Sequence, residues 1–532
     1  MTKELPQNWY KKSVFYQIYP RSFFLKDFPQ REKLLSECQR VSNYKANDLE
    51  SGNLAGITEK LNYLTYLGVD AIWICPFYKS PMADFGYDVM DYTDVDPVFG
   101  TLDDFKTLLN QATAKNLKVI IDFVPNHSSS LHPWFVNSRS SLNNPYRDFY
   151  FWRDPKNRTF PNNWKCSIEI GPAWTFDETT KQYYLHLFLP EQPDLNWYNP
   201  EVVKNMLKYV EFWLDLGVSG FRLDAVHCMG KDKDLSDSPP QWEWAPRAMF
   251  NNDPSVHPLL KNFRNFKTTE YDYVLIGEVF LPTVEAISKY YGDSDELDLC
   301  FIFPLALSGW SFSSWQQVLN DVYDYIISNN HWPAWTLSNH DLPRYLSRVG
   351  SQERARAAAV ALLSLQGTPF IYQGEELGLP NALITEQDKI DPGGRDASRA
   401  PIPWEPNPPF GWPIKKPWLP FNKEAPTHNV QTEMSSSDSM LNFYKELLRL
   451  RKSTPLLHSA PMNMLDLKKP LLGWERNLSS DQLVVIINFS SNEIDLPKPY
   501  INYKVIFSSK DALTDRYTTA IYPNEAIILK SS

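Results

Sequence analysis

Asp224, Glu278 and Asp341 are three acids in a shared setting. Apolar runs at 220–223, 274–277 and 335–337 lead into them, the last through Ser338-Asn339-His340. A charge at the C-terminal end of a buried strand is costly unless it pairs or reacts. Arg222 with Asp224, taken alone, reads equally well as a structural ion pair at a barrel rim. The two further acids turn the reading towards chemistry. Three carboxylates in one cleft repel one another, so their protons must be divided. Acetal hydrolysis uses that division. One carboxylic acid protonates the leaving oxygen, and one carboxylate attacks the anomeric carbon or activates water. Glu278 has the longer reach and suits the acid. Asp224, beside Arg222, is expected to stay ionised and suits the nucleophile. His127 and His340 also follow strand ends and read as donors to sugar hydroxyls. Tyr87 offers an aromatic face to a pyranose ring, although a tyrosine packed in its own loop fits nearly as well. Asp88 and Arg399 are the other charged residues expected at the substrate.

Such residues need a scaffold that gathers strand ends on one face. Residues 14–19, 69–75 and 117–124 are apolar runs of strand length, and 54–67 and 101–112 between them carry apolar residues at helical spacing. Thr101 resembles a helix cap, with Asp104 adding charge to the helix start; a full capping box calls for Glu or Gln there. Asn199, Pro200 and Gly217 bracket a helix with Val203, Leu207, Val210 and Leu214 on one face. Further strands are expected before Asp224 and at 274–277, 297–303, 335–337 and 367–372, with an alanine-rich helix over 354–365 and a terminal helix over 439–450. This alternation builds parallel units with right-handed crossovers, and eight strands fit an α/β fold of the (β/α)8 TIM barrel type.

Several stretches stand apart. Residues 80–98 are rich in acids and turn formers and are expected to lie outside the core. Residues 128–198 lack a crossover helix; a structureless loop of that length is uncommon, so an inserted subdomain is expected after the third strand. Residues 378–430 are dense in proline and read as an extended loop. The runs 483–489, 500–507 and 526–529 predict a C-terminal antiparallel β domain, sandwich-like in character. The expected division is 1–127 and 199–453 for the barrel, 128–198 for the insertion and 454–532 for the β domain.

The chain has 532 residues, 43% of them apolar, and a formal net charge of −10. That length allows two or three domains. The acidic balance, without a basic block, argues against a nucleic-acid partner. Cys38, Cys75, Cys166, Cys228 and Cys300 are odd in number and far apart, which favours free thiols in a reducing compartment. The first ten residues lack the apolar core of a signal peptide, and no run reaches membrane-spanning length. A cytoplasmic enzyme with no membrane association is the expectation; nothing indicates its oligomeric state. Zinc-site, phosphate-loop, dinucleotide and nucleophile-elbow motifs are absent, so no cofactor is expected.

The sequence resembles the α-glucosidases of glycoside hydrolase family 13, the α-amylase family, in its maltase and oligo-1,6-glucosidase group. The resemblance runs from about residue 14 to at least 450 and continues more weakly into the C-terminal β domain. It rests on Gly86-Tyr87-Asp88, Asp122-Phe123-Val124-Pro125-Asn126-His127, Gln192-Pro193-Asp194-Leu195-Asn196, the Asp224 stretch, Gly277-Glu278-Val279, Ser338-Asn339-His340-Asp341 and Gly394-Arg395-Asp396-Ala397-Ser398-Arg399. It implies Asp224 as nucleophile, Glu278 as acid/base and Asp341 as the third carboxylate, which holds hydroxyls. It places Arg222, His127 and His340 around the reacting glucose and Tyr87 as the stacking tyrosine. Asp88 and Arg399 match the polar pair that closes the pocket beyond the non-reducing end, which implies exo-action on a small oligosaccharide or disaccharide. Ala225 stands where relatives favouring α-1,6 bonds tend to carry valine, which implies a preference for maltose and short α-1,4 glucosides. Methyl groups discriminate by only about 1–3 kcal/mol. Transglucosylation, sucrose hydrolysis and disaccharide isomerisation use the same glucosyl-enzyme and stay open, because the acceptor side includes residues 231–254. A catalytically inactive binding or transporter-associated homologue fits poorly with a chain that keeps its acids.

One departure concerns metal. Many relatives place a cation loop ahead of the second barrel helix. Here residues 45–53 put Lys45 at the first ligand position and Leu49 in the middle, which removes hard oxygen ligands. No metal is expected. Residues 25–44, just before, are longer than the family usually has, and their sequence suggests no role.

Overall fold

The apolar runs become strands because both of their faces are covered. β1 (Phe15–Ile18), β2 (Ala71–Ile74), β3 (Lys118–Phe123), β4 (Gly220–Leu223), β5 (Val274–Gly277), β6 (Leu299–Phe301), β7 (Pro333–Thr336) and β8 (Thr368–Tyr372) pair in parallel in that order. β8 returns to β1, with Phe370 opposite Phe15. The result is the closed eight-stranded barrel that the alternation predicts. The computed structural model describes residues 8–27, 31–36, 38–240 and 244–531.

Alternation along the strands puts charge on the barrel axis. Phe15, Trp73, Ile120, Ile276, Phe301 and Phe370 pack together inside, while Tyr16, Ile72, Ile121, Phe221 and Leu275 belong to the layer shared with the helices. Successive side chains point to opposite faces. Asp122 follows Ile120 by two and Glu278 follows Ile276 by two, so both continue the inner row. Arg222 and Asp224 alternate with the outward Phe221 and Leu223. Asp122 pairs in register with Arg222, and Leu223 with Gly277, so Asp224 and Glu278 leave the barrel side by side. Gly220 permits this close approach. Its φ is +152°, and a Cβ there would come within 2.3 Å of the Val274 carbonyl oxygen.

The helices mostly follow their sequence signals. Asn199 accepts a hydrogen bond from the Glu201 N–H, and Gly217 ends the helix Pro200–Leu216 at φ +103°. Its buried face is Val202, Met206, Val210, Trp213 and Leu214, about one residue away from the expected stripe. Trp213 sets that rotation: it is fully buried and its indole donates to the Tyr92 carbonyl at 2.7 Å. Residues 54–67 form two helices, Leu54–Glu59 and Leu61–Leu67, broken at Lys60. At the helix Leu102–Ala114, Asp104 does complete a capping box: its carboxylate accepts from the Thr101 N–H at 2.8 Å while Thr101 Oγ1 accepts from the Asp104 N–H. The shorter acid reaches because the loop brings the two residues together.

Residues 80–98 correct an expectation. A strand, Asp91–Val95, pairs with Tyr78–Lys79, and Phe85, Tyr87, Val89 and Tyr92 are buried. The acids that argued for exposure are matched inside the protein. Asp88 accepts from Ser80 Oγ and the N–H groups of Ala83 and Asp84, and Asp96 pairs with Arg40. Residues 128–198 hold a three-stranded antiparallel sheet made of Trp152–Arg153, Gln182–Leu185 and Trp174–Asp177, ahead of which lies the helix Pro133–Ser138. Residues 378–430 run without strands but bury Trp404, Trp412 and Trp418.

The C-terminal region is a six-stranded antiparallel sheet. Its strands are β9 (Met462–Met464), β10 (Leu471–Leu478), β11 (Asp481–Asn488), β12 (Lys504–Ser508), β13 (Ala512–Arg516) and β14 (Ala526–Lys530), in the order β9-β10-β11-β14-β12-β13. The run expected at 500–507 becomes a strand only from Lys504, after the short helix Lys498–Tyr500. Pro497 and Pro499 lack the N–H groups a ladder needs.

Candidate active site

One guanidinium gathers the acids at the ends of β3, β4 and β5. Arg222 Nη1 donates to Asp122 Oδ1 at 2.6 Å and Asp224 Oδ1 at 2.7 Å, and its Nη2 lies 2.7 Å from Glu278 Oε2. Glu278 Oε2 also accepts from the Ala225 N–H at 2.8 Å. Arg222 is only 1% exposed, so this cation works in a low dielectric. It faces three carboxylates with one positive charge, and a proton must make up part of the difference. Burial pushes the Asp122 carboxyl up to about 6 although Arg222 opposes it. Burial also pushes Asp224 well above the usual carboxylate range, again against Arg222, with Glu278, Asp122 and Asp341 adding to the rise. Burial thus works against the ionised Asp224 that the mechanism of acetal cleavage asks for, and Arg222 works for it. Asp224 and Glu278 share one cation.

Asp341 is different. Burial raises its carboxyl, but His340, Arg395 and Arg399 outweigh burial and hold it well below the usual range. Arg395 Nη1 and Arg399 Nη2 each lie 3.1 Å from Asp341 Oδ1. Burial drops His340 to about 3, so its ring is neutral near pH 7. Gln17 Nε2 faces its Nδ1 at 2.8 Å, which leaves the proton on Nε2. That nitrogen faces the Tyr87 hydroxyl at 2.6 Å and Asp341 Oδ2 at 3.1 Å. Tyr87 stacks on the His340 ring at 5.5 Å and donates onward to Asp122 Oδ2 at 3.2 Å.

These groups surround a cavity of about 670 Å³. Asp224, Glu278, Asp341, Tyr87, His127 and Ala225 line it. Arg222, His340 and Arg399 do not; each stands behind a lining carboxylate and holds it. Asp88 lies apart. It is buried in its own loop, where it accepts three hydrogen bonds, so it does not meet Arg399. The pair at the cavity is Asp84 with Arg395, joined by a short ion pair. Arg399 reaches Asp391, the His340 carbonyl and Asp341 instead. Arg395 lies in the Gly394–Arg399 motif and Asp84 two residues before the Gly86-Tyr87-Asp88 motif, but nothing local says which residues meet across 311 positions.

His127 lines the cavity, yet both its ring nitrogens already face protein groups. Nε2 lies 3.1 Å from the Tyr87 carbonyl and 3.0 Å from Gln192 Nε2; Nδ1 lies 3.1 Å from Asn126 Nδ2. Gln192 also donates to Asp84 at 3.2 Å, so the insertion is tied directly to the polar end of the cavity. Behind His127 lies a fully buried ion pair, Lys231 Nζ to Asp194 Oδ2 at 2.9 Å. The sequence reading missed this pair and also His227, which lines the cavity beside Ala225.

The 45–53 loop does not fit a metal ion, because its oxygens are already bound by guanidinium groups. Asp48 pairs with Arg21 at 3.2 Å and Arg40 at 2.8 Å and accepts a short hydrogen bond from Tyr44. Arg31 donates to the carbonyls of Leu49 (2.7 Å), Asp48 (2.7 Å) and Ser51 (2.8 Å). Arg31 and Arg40 come from residues 25–44, which gives that segment a role: it supplies cations to the loop. Among the described residues no cluster of three His, Cys, Asp or Glu side chains could hold a metal. Two results are expected. Exhaustive dialysis against a strong chelator leaves activity unchanged. Arg31→Met lowers thermal stability by about 3 kcal/mol or more, since three charged hydrogen bonds to loop carbonyls, that of Ser51 buried, are lost. Calcium-restored activity in the first, or an unchanged melting temperature in the second, would contradict the assignment.

A parallel barrel that presents paired carboxylates at its C-terminal face, around a cavity of sugar size, defines a glycoside hydrolase. The chain belongs to the α-amylase family: the family's alpha amylase catalytic domain matches residues 17–460. Similar curated proteins are the oligo-1,6-glucosidase of Heyndrickxia coagulans, 36% identical over 98% of this chain and 99% of that one, and the probable alpha-glucosidase of Rhizobium meliloti, 36% identical over 92% and 90%. Among solved structures, the isomaltulose synthase of Klebsiella sp. LX3 superposes with a TM-score of 0.87 at 31% identity, covering 99% of this chain and 100% of that one. The α-glucosidase group is thereby shown. Among the described residues no helix is long and apolar enough to cross a membrane.

Proposed function

We propose that this enzyme removes single glucose units from the non-reducing ends of maltose and short α-1,4 glucosides, with retention of the α configuration. The observation that carries the reading is the shared grip of Arg222 on Asp224 and Glu278. It keeps the two carboxyls together at one anomeric centre. In the first step Asp224 attacks C1 as a carboxylate and Glu278 gives its proton to the leaving oxygen. In the second, Glu278 takes a proton from water, which attacks C1 and releases Asp224. Asp341, held ionised by Arg395 and Arg399, serves the sugar hydroxyls. The Asp84–Arg395 ion pair supports exo-action, because it bars the polar end of the cavity to a longer chain. Ala225 supports the α-1,4 preference: its small side chain lines the cavity beside the nucleophile.

Proton magnetic resonance of fresh maltose digests tests the mechanism. α-Glucose is the first anomer expected, before mutarotation mixes the two. β-Glucose first would overturn both the nucleophile and retention. Initial rates test the linkage: maltose is expected to be cleaved faster than isomaltose, and the reverse order would refute the role given to Ala225. A second reading, transfer of glucose to another sugar, draws on the likeness to isomaltulose synthase. Product analysis at high sucrose and high maltose separates it from hydrolysis.

A further inference from the structure

At the end of the barrel opposite the active site lies a second cavity, of about 220 Å³. Residues 12–14 lead into β1 and residues 68–70 into β2, so this cavity sits at the N-terminal ends of the strands. Arg451 and Lys452, at the end of the helix Met440–Ser453, and His458, in the helix Pro455–His458, line its other side. Its charge is one-sided. Lys12, Arg451 and Lys452 share it with a single acid, Asp70. Both oxygens of that acid are engaged: Oδ1 lies 2.9 Å from Lys452 Nζ, and Oδ2 accepts from the Val14 N–H at 3.0 Å. Asp70 therefore answers Lys452 and leaves Lys12 and Arg451 unmatched. Among the described residues the Lys12 ammonium has no side-chain partner.

Arg451 is 1% exposed, yet its partners are all neutral. Its Nη1 donates to the carbonyls of Leu363 at 2.7 Å and Leu457 at 2.8 Å, and its Nη2 to that of Gly367 at 2.9 Å. Its Nε is buried with no partner. Arg476, on β10, shares the Leu457 carbonyl and donates otherwise to the carbonyls of Ser364 and Ala460. It too is fully buried. These bonds clasp the C-terminal sheet to the barrel, which gives both arginines a structural use. Carbonyls are dipoles, however, and they leave two buried positive charges without a counter-ion. His458 registers the resulting field. Burial, and then the charges of Arg451, Lys12 and Arg476, hold its ring below the usual histidine pKa. Its Nδ1 faces Ser459 Oγ at 2.6 Å, which leaves Nε2 open.

We propose that this cavity binds a phosphate group, as free orthophosphate or as the phosphate of a sugar phosphate, and that the bound anion strengthens the junction between the barrel and the C-terminal domain. Two unmatched cations suit a dianion better than chloride or a single carboxylate. A phosphate carries a charge of about −1.5 to −2 near pH 7, and its oxygens accept from several directions at once. Lys12 Nζ, Arg451 Nε and His458 Nε2 are the donors left for it. None of the three takes part in the catalytic site, so occupancy is expected to change stability and leave glucose release as it is.

Equilibrium dialysis of the whole enzyme against radiolabelled orthophosphate, with ionic strength held constant by chloride, tests this. Saturable binding is expected. Lys12→Gln and His458→Gln are each expected to weaken it about fivefold or more, on the scale of one charge-assisted hydrogen bond, while Lys12→Arg keeps it. Unchanged maltose kcat/KM in these variants shows that they are folded. Melting temperature gives a second readout, because phosphate also stabilises proteins in general by exclusion from their surfaces. A bound anion adds a rise that the double variant Lys12→Gln/His458→Gln loses. A hexose 6-phosphate separates the two sources: tighter binding than orthophosphate assigns the cavity to a sugar phosphate, and weaker binding assigns it to the free ion. Either order keeps the site. No saturable binding overturns it, and so does binding that both single variants leave unchanged. An equal rise in melting temperature in the parent and the double variant overturns the claim that the anion strengthens the junction.

Discussion

Replacing Asp224 with alanine is expected to lower turnover by roughly 10⁵-fold or more, on the scale of losing a covalent nucleophile. The loss should be as large on aryl α-glucosides as on maltose, because a good leaving group does not replace an attacking carboxylate. Glu278→Gln should behave differently. Its acid function is worth about 10²–10⁴-fold, and an aryl leaving group needs little of it. The first step then survives while the second slows, so the glucosyl ester builds up. Intact mass after mixing with an aryl glucoside should show one added glucosyl group, and peptide mapping should place it on Asp224. The electrostatics add a sign. Burial is the main force raising Asp224, and the charge of Glu278 adds to it. Removing that charge lowers the Asp224 carboxyl, so the glycosylation burst in Glu278→Gln should persist to lower pH than in the parent enzyme. Label on another residue, or equal losses for both variants on aryl substrates, would break the division of roles.

The barrel was legible because its two periodicities are plain. Short apolar runs alternate with helical stripes, and the acids stand just past the runs. Parity even explains why Asp122, Arg222, Asp224 and Glu278 share an interior. What sequence could not reveal were meetings between distant segments. The acids of 80–98 looked like a solvated loop, yet Asp84 is matched by Arg395, Asp88 by its own loop and Asp96 by Arg40. Composition alone cannot tell a solvated acid from one whose cation arrives from elsewhere in the chain. The same limit explains the substitution of Asp84 for Asp88 at the cavity: four positions on one loop decide between facing the substrate and capping a turn. It also explains residues 25–44, whose role appears only when Arg31 and Arg40 are seen on the 45–53 loop. The surroundings of Asp224 show the same limit. One visible partner, Arg222, argued for charge, but that partner is divided among three carboxylates.

Lys231→Met should be the most destabilising single change outside the catalytic acids, and its effect should grow with pH. Lys231 is fully buried. Its ammonium donates to Asn126 Oδ1 at 2.7 Å, makes a short bond to the Cys228 carbonyl and lies 2.9 Å from Asp194 Oδ2. Three segments meet there: the end of β3, the loop after β4 and the insertion. Asp194 Oδ1 in turn accepts from the Leu187 N–H at 3.0 Å and Asn126 Nδ2 at 3.2 Å, and residue 194 bridges His127. Methionine fills the space but leaves the Asp194 carboxylate buried without its cation, which costs about 3–5 kcal/mol. Burial already pushes Asp194 up, with Lys231 the leading opposition. Without it the folded protein keeps Asp194 protonated to a higher pH than the unfolded chain does. The folded state then binds more protons, so its stability falls as pH rises through that window. The gap in melting temperature between Lys231→Met and the parent should therefore widen as pH rises above the ordinary aspartate range. Adding Asp194→Asn should close much of it by removing the stranded charge. Activity should not return with stability, since His127 and Gln192 still lose the anchor that sets them at the cavity. A gap independent of pH, or a double variant that recovers full kcat/KM, would show that the pair is packing alone.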